Sequence, residues 1–304
     1  MPPNPLPPNR LSDDLVALDA QLRDEEQRYR DIRPGAEQGF QWASGRPERQ
    51  PLSIVYIHGF AATRREASPL CERLGETLGA NVFFARLSGH GRSDDAMASG
   101  SVDAWCGETE RAIEIGRRIG ERVVVVGLST GATLILWALA RDSRDIGAQI
   151  LISPNFGPRD RRSELLTVPG GRWIARAVVG KYFEFPLINA EQARWWTMRF
   201  PSCALVPMMQ SVRLARLIDP QDFTVPTQMF YCPNDDLVDP RRIERFYAQL
   251  GAEKRMMCLE QTDDTSRHTI VGDIMAPQGT AAAYAATHEF LQHLDLIRSA
   301  SRSD

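Results

Sequence analysis

Apolar residues recur along this chain in two rhythms, and the switches between them predict its elements. Leu52 to Ile57 (LSIVYI), Asn81 to Ala85 (NVFFA) and Arg122 to Val126 (RVVVV) are short runs rich in β-branched or aromatic residues, as are Gln149 to Ile152, Thr227 to Tyr231 and Arg255 to Leu259. Such runs read as strands, and RVVVV is the clearest buried one. Residues 66–79, 103–119, 131–141, 240–250 and 279–297 carry helical spacing instead. Strands apolar on both faces and joined by helices predict a mainly parallel sheet covered by helices on each side, an α/β protein.

Two segments depart from this alternation. Residues 12–31 read as an added N-terminal helix, with Ser12 as cap, Asp13 and Asp14 at its positive end, and Leu15, Leu18, Leu22 and Tyr29 along one side. Pro34-Gly35 ends it, and the proline-rich tail before it is expected to be poorly ordered. Between about 155 and 223 the strand–helix rhythm stops, and Trp173, Phe183, Phe185, Trp195, Trp196, Met208 and Met209 gather among prolines. Open α/β sheets bind ligands beyond the carboxyl ends of their strands, so an aromatic insertion there predicts a cap. The division is therefore residues 1–36 as tail and helix, 37–154 with 224–304 as core, and 155–223 as helical cap or lid.

Composition narrows the class further. Of 304 residues, 43% are apolar and 25% charged, which is ordinary for a globular chain and excludes a mostly disordered protein, a collagen or a coiled coil. The net charge of −3 argues against a general nucleic-acid binder. Five scattered cysteines, with no CxxC pair, read as thiols of a reducing compartment. The first residues lack the apolar core of a secretory signal, and no apolar run reaches the roughly 18 residues of a membrane helix. A soluble cytoplasmic protein is the expectation. Oligomeric state is not legible.

Gly127-Leu128-Ser129-Thr130-Gly131 carries the chemistry. It fits G-x-S-x-G, a pattern common by chance, but here it follows a buried strand and opens an apolar helix. The sharp turn needs small flanking residues and lifts the hydroxyl clear of the sheet at a helix N-terminus. A serine hydroxyl needs a base. Of five histidines, His268 lies in a polar loop after the last predicted strand, at the sheet edge where Ser129 also falls, whereas His288 and His293 fall inside the final helix. Asp235 and Asp236 follow strand 227–231; Asp235 is preferred as the acid that orients the base, with Asp236 the alternative. Asp263 and Asp264 lie too near His268 on one loop. The order Ser129, Asp235, His268 is that of the α/β-hydrolase arrangement and not of the two major serine-protease orders.

An oxyanion needs two donors. The backbone N–H of Thr130 is one candidate, and Phe60 N–H, in the loop His58-Gly59-Phe60-Ala61 after the first strand, the other. His58 and Gly59 are grouped with the substrate-binding residues, although a histidine at this place more often holds the loop by hydrogen bonds. Trp195 and Trp196 are the candidates to line a pocket under the cap, against the alternative that they pack it. Ser88-Gly89-His90-Gly91-Arg92-Ser93 reads as a turn that shapes the site.

These stretches (YIHGF, ARLSGHGRSD, VVGLSTGA, PNDDLVD and SRHT) make the chain resemble the α/β-hydrolase superfamily, in its capped serine esterase and monoacylglycerol-lipase-like branch, from about residue 50 to 297. The resemblance implies a mostly parallel eight-stranded sheet with an antiparallel first pair, residues 37–44 supplying one strand, and a cap inserted after Ser153. It implies a small-molecule ester substrate with a short- to medium-chain acyl group. The same triad would also serve a thioester, lactone or peptide bond; a non-catalytic binding protein would normally lack a triad member. A Ser–Lys dyad has only Lys181 and Lys254 to draw on. His288-Glu289 with His293 misses the zinc spacing by one residue, and there is no glycine-rich nucleotide loop, so neither metal nor cofactor is expected.

Overall fold

The computed structural model describes residues 10–260 and 267–297, so the proline-rich residues 1–9 and the pair Asp263 and Asp264 lie outside it. Its elements run α1 (Leu15–Gln27), β1 (Gly39–Gln41), β2 (Gln50–Ile57), α2 (Leu70–Leu78), β3 (Asn81–Phe84), α3 (Val102–Ile119), β4 (Gly120–Leu128), α4 (Thr130–Leu139) and β5 (Ile146–Ile152). The chain continues through α5 (Gly171–Val179), β6 (Tyr182–Glu184), α6 (Ala190–Trp195), β7 (Arg199–Pro201) and α7 (Leu205–Ala215). It ends with β8 (Thr227–Tyr231), α8 (Pro240–Gln249), β9 (Lys254–Cys258) and α9 (Pro277–His293).

Seven strands form the main sheet in the order β1-β3-β2-β4-β5-β8-β9, parallel except for β1, which runs antiparallel to β3. The resemblance implied eight. The difference lies ahead of β1, where the polar, leucine-spaced stretch folds as α1 and leaves no strand to flank β1. Each central strand divides its side chains between two cores with period two. Val123 and Val125 enter the core shared with α1, α3, α4 and α8. Val124 and Val126 enter the core shared with α2 and α9. Burial on both faces is why RVVVV carries no polar alternation.

Helix α1 joins the first of these layers through Leu18 and Leu22. Its N-cap is Asp14 and not the expected Ser12: Asp14 accepts Ala17 N–H at 2.8 Å, while Ser12, two residues earlier, accepts Asp14 N–H. Glu26 pairs with Arg86 at 2.7 Å, both nearly enclosed, and Glu25 pairs with Arg111 of α3 at 2.8 Å. Glu26 also accepts Gln38 N–H, tying α1 to the start of β1.

Between Ser153 and β8 the chain leaves the sheet. The β6–β7 pair is antiparallel and separate from the main sheet. Phe183, Phe185 and Phe200 cluster with Phe60 and Met97, and Met209 packs with Leu166, Ala175, Val206 and Val212. Among the described residues, no helix is long and apolar enough to cross a membrane, and the five cysteines are free thiols.

Candidate active site

Four loops leave the carboxyl ends of β2, β4, β8 and β9 and converge. The tightest is a single residue, Ser129, between β4 and α4. Its φ of 52° and ψ of −111° lie outside the common regions, a strain that persists only where surroundings fix it. They do so here: Ser129 N–H donates to Ile152 O at 2.8 Å, and its carbonyl accepts both Thr133 N–H and Thr133 Oγ1 at 3.1 Å. The flanking glycines are required by space. A Cβ at Gly127 would stand 2.6 Å from Ile135 Cδ1, and one at Gly131 would overlap the Ile57 carbonyl.

Ser129 Oγ lies 2.9 Å from His268 Nε2, and His268 Nδ1 lies 2.7 Å from Asp235 Oδ2. The Asp235 carboxylate is fully buried, and its other oxygen accepts Leu237 and Val238 N–H at 2.8 and 2.9 Å. An ionised carboxylate only accepts, so Nδ1 carries the imidazole proton and Nε2 is left to accept from Ser129. Burial disfavours the charged ring, yet Asp235, with smaller pulls from Glu66 and Asp236, raises the His268 pKa above its ordinary value. Asp236 itself is exposed.

The loop after β2 carries the second predicted donor. Among the described residues, no protein acceptor takes Phe60 N–H or Thr130 N–H. The Phe60 ring packs edge-on against Phe200 at 5.2 Å, and Ala61 O accepts Thr197 N–H at 2.7 Å, so the insertion is stitched to this loop. His58 is held inside the protein. It is fully buried, its Nδ1 meets Gly59 O at 2.8 Å and its Nε2 accepts Leu87 N–H at 3.1 Å. Burial pushes its pKa down to about 4, so it is a neutral brace. Gly59 is buried too. Trp195 and Trp196 are both buried and pack with Ala62 and Met275, next to the Phe60 loop. Trp195 Nε1 donates to Glu191, and its ring lies against Gly35. His90 is buried beside His58 with ring centroids 4.9 Å apart, within the glycine turn.

Two side chains at the site escaped the sequence reading. Ser153, at φ 44°, donates from Oγ to the His268 carbonyl at 2.8 Å and so holds the histidine loop against β5. Glu66 is buried behind the Phe60 loop, where Tyr56 Oη and Gly59 N–H both donate to its Oε1. Burial raises its pKa to about 8. No local motif marks either residue; Glu66 falls in a stretch that reads as plain helix.

A doubly wound parallel sheet with a strained serine at the turn from its central strand into a helix is the framework of a hydrolase. A profile of the alpha/beta hydrolase family matches residues 54–282, most of the chain, and the protein belongs to that family. Over 99 residues it is 31% identical to a thermostable monoacylglycerol lipase from Bacillus sp. (strain H-257); that stretch spans 33% of this chain and 39% of the relative. In three dimensions it is similar to a chain described with the metagenome-derived lipolytic enzymes LipS and LipT, with a TM-score of 0.69 and 18% identity over 86% of this chain and 100% of the other. It is also similar to a soluble variant of monoglyceride lipase from Saccharomyces cerevisiae, with a TM-score of 0.64 and 15% identity over 87% and 94% of the two chains. At these identities the likeness speaks for the fold.

Proposed function

We propose that this protein is a serine hydrolase that cleaves carboxylic esters, with a short- to medium-chain acyl group and a monoacylglycerol-like substrate as the leading case. The hydrogen-bonded line Asp235–His268–Ser129, at 2.7 and 2.9 Å, carries this reading. Ser129 Oγ attacks the ester carbonyl carbon while its proton passes to His268 Nε2, and Asp235 holds the imidazolium that forms. The carbonyl oxygen, now an oxyanion, accepts from Phe60 and Thr130 N–H; one such donor lowers the barrier by about 2.7–4 kcal/mol. His268 then gives its proton to the departing alcohol oxygen, leaving an acyl-enzyme. Water attacks that ester as His268 takes one of its protons, and Ser129 leaves with the proton returned.

The proposal assigns residues 155–223 as a cap. The phenylalanine cluster on Phe60 supports an apolar acyl site, and the lipase relative supports the substrate class. The test is hydrolysis of p-nitrophenyl esters across chain lengths by wild type and Ser129→Ala. The proposal expects turnover that the mutant abolishes and a preference at short to medium chains. Equal rates in both proteins would overturn it.

A further inference from the structure

Glu66 has no place in the reaction just described, yet its carboxyl group is enclosed at the back of the site. It is buried, and the partners its oxygen takes among the described residues, Tyr56 Oη and Gly59 N–H, are uncharged; a buried carboxyl without a cation destabilises a fold. Its contacts explain its presence better than stability does. Both donors on Oε1 come from the segment that leads into the Phe60 loop: Tyr56 Oη at 2.8 Å and Gly59 N–H. The next peptide group is pinned through its oxygen, because Gly59 O takes His58 Nδ1 at 2.8 Å and Ala62 N–H at 3.3 Å. A trans peptide points its N–H opposite to its C=O. With Gly59 N–H and Gly59 C=O both held inside, the Phe60 N–H faces away from them. The approach is close: a Cβ at Gly59 would stand 3.0 Å from Glu66 Oε2.

The same residue also touches the histidine loop. Its backbone oxygen packs against Gly272, where a Cβ would overlap it, and Ser68 O accepts Asp273 N–H at 2.9 Å. The turn at 64–67 therefore lies between the segment carrying Phe60 and the segment carrying His268.

We infer that Glu66 is a positioning residue for ester hydrolysis: its Oε1 fixes the Gly59 amide so that Phe60 N–H is aimed at the oxyanion. This rests on the serine hydrolase reading. It predicts that the acceptor atom, at the reach of a glutamate, matters more than the charge. The experiment compares Glu66→Ala, Glu66→Asp and Glu66→Gln with wild type for kcat, KM and inhibition by an alkyl trifluoromethyl ketone, whose adduct with a serine mimics the tetrahedral oxyanion.

Misaiming a donor falls short of the roughly 100- to 1000-fold loss on removing one, so kcat in Glu66→Ala is expected to fall about 10- to 100-fold with KM nearly unchanged. The inhibition constant of the ketone should rise by the same factor. Glu66→Asp, whose acceptor is withdrawn by one methylene, should follow the alanine variant. Glu66→Gln keeps an oxygen in place and should stay within about threefold of wild type by the same reasoning. Should Glu66→Ala fail to fold, the contrast between Gln and Asp decides alone. Unchanged kcat and inhibition in Glu66→Ala, or a loss in Glu66→Gln as large as in Glu66→Asp, would overturn the assignment. Failure of the hydrolase reading looks different: wild type itself would neither turn over esters nor react with a fluorophosphonate.

Discussion

Adding one methyl group at Gly131 tests the geometry of the whole site. Gly131 is the second residue of α4, inside a helix, where helix propensity alone favours alanine by about 1 kcal/mol. Space argues the other way. The new Cβ would overlap the Ile57 carbonyl oxygen and stand 2.7 Å from the His58 carbonyl oxygen. Close C···O approaches in proteins begin near about 3.3 Å, so relieving the His58 contact alone needs a separation of roughly 0.6 Å, and the Ile57 overlap needs β2 and the start of α4 to part by more than that. Both clashing atoms are backbone and cannot rotate away. Overpacking of this kind costs about 1–3 kcal/mol, which outweighs the propensity gain. The functional cost is larger, because the wedge falls between the end of β2, which leads to Phe60, and the end of α4 that carries Thr130. A misplacement near 1 Å can cost about 100-fold, so Gly131→Ala should lower kcat/KM by roughly 30- to 100-fold and reduce the melting temperature by several degrees. Gly107→Ala is the control: it is exposed in α3, nothing lies within 4 Å of the new methyl, and stability should rise. Ester kinetics and thermal melts of both variants decide. A Gly131→Ala protein with wild-type kinetics and an unchanged or raised melting temperature would refute the reasoning.

Four further outcomes follow from the electrostatics. The base must be neutral to accept a proton and His268 is raised above the ordinary 6.5, so kcat/KM should rise with pH to a midpoint above that value. Asp235→Asn should lower the midpoint and cut kcat by about 10⁴-fold, as measured by pH–rate profiles. Burial raises the Glu66 pKa from its ordinary 4.5 to about 8, so the fold is not penalised by this group below 4.5 and loses stability as pH rises toward 8. Melting temperatures across that window should fall more in wild type than in Glu66→Gln; parallel curves would contradict the raised value. Glu26→Ala leaves Arg86 enclosed without its partner and should cost about 3–5 kcal/mol in urea unfolding, whereas replacing both residues with apolar ones should cost less.

Most of the sheet was legible because strands buried on both faces, such as RVVVV, carry an unbroken apolar signal. Boundaries moved by a few residues where the signal fades: β4 extends to Gly120–Leu128, and the helix expected at 66–79 opens as a short turn before α2. Ser129, Asp235 and His268 could be nominated because each follows a strand, and chain order plus strand direction places all three at one edge. The sequence could not place α1, since its docking depends on ion pairs to Arg86 and Arg111, far along the chain. It also could not find Glu66 or Ser153. Their partners are backbone atoms of other loops, and no spacing rule records a backbone atom brought close by folding. His58 was ambiguous for the same reason: only the bonds to Gly59 and Leu87 show that both ring nitrogens are occupied.

The most direct test of the central claim is to treat the folded protein with an alkyl fluorophosphonate and locate the adduct by peptide mass spectrometry. The account predicts a single adduct on Ser129, formed at a rate that falls steeply in His268→Ala. An unmodified Ser129, or a label on another residue, would contradict it.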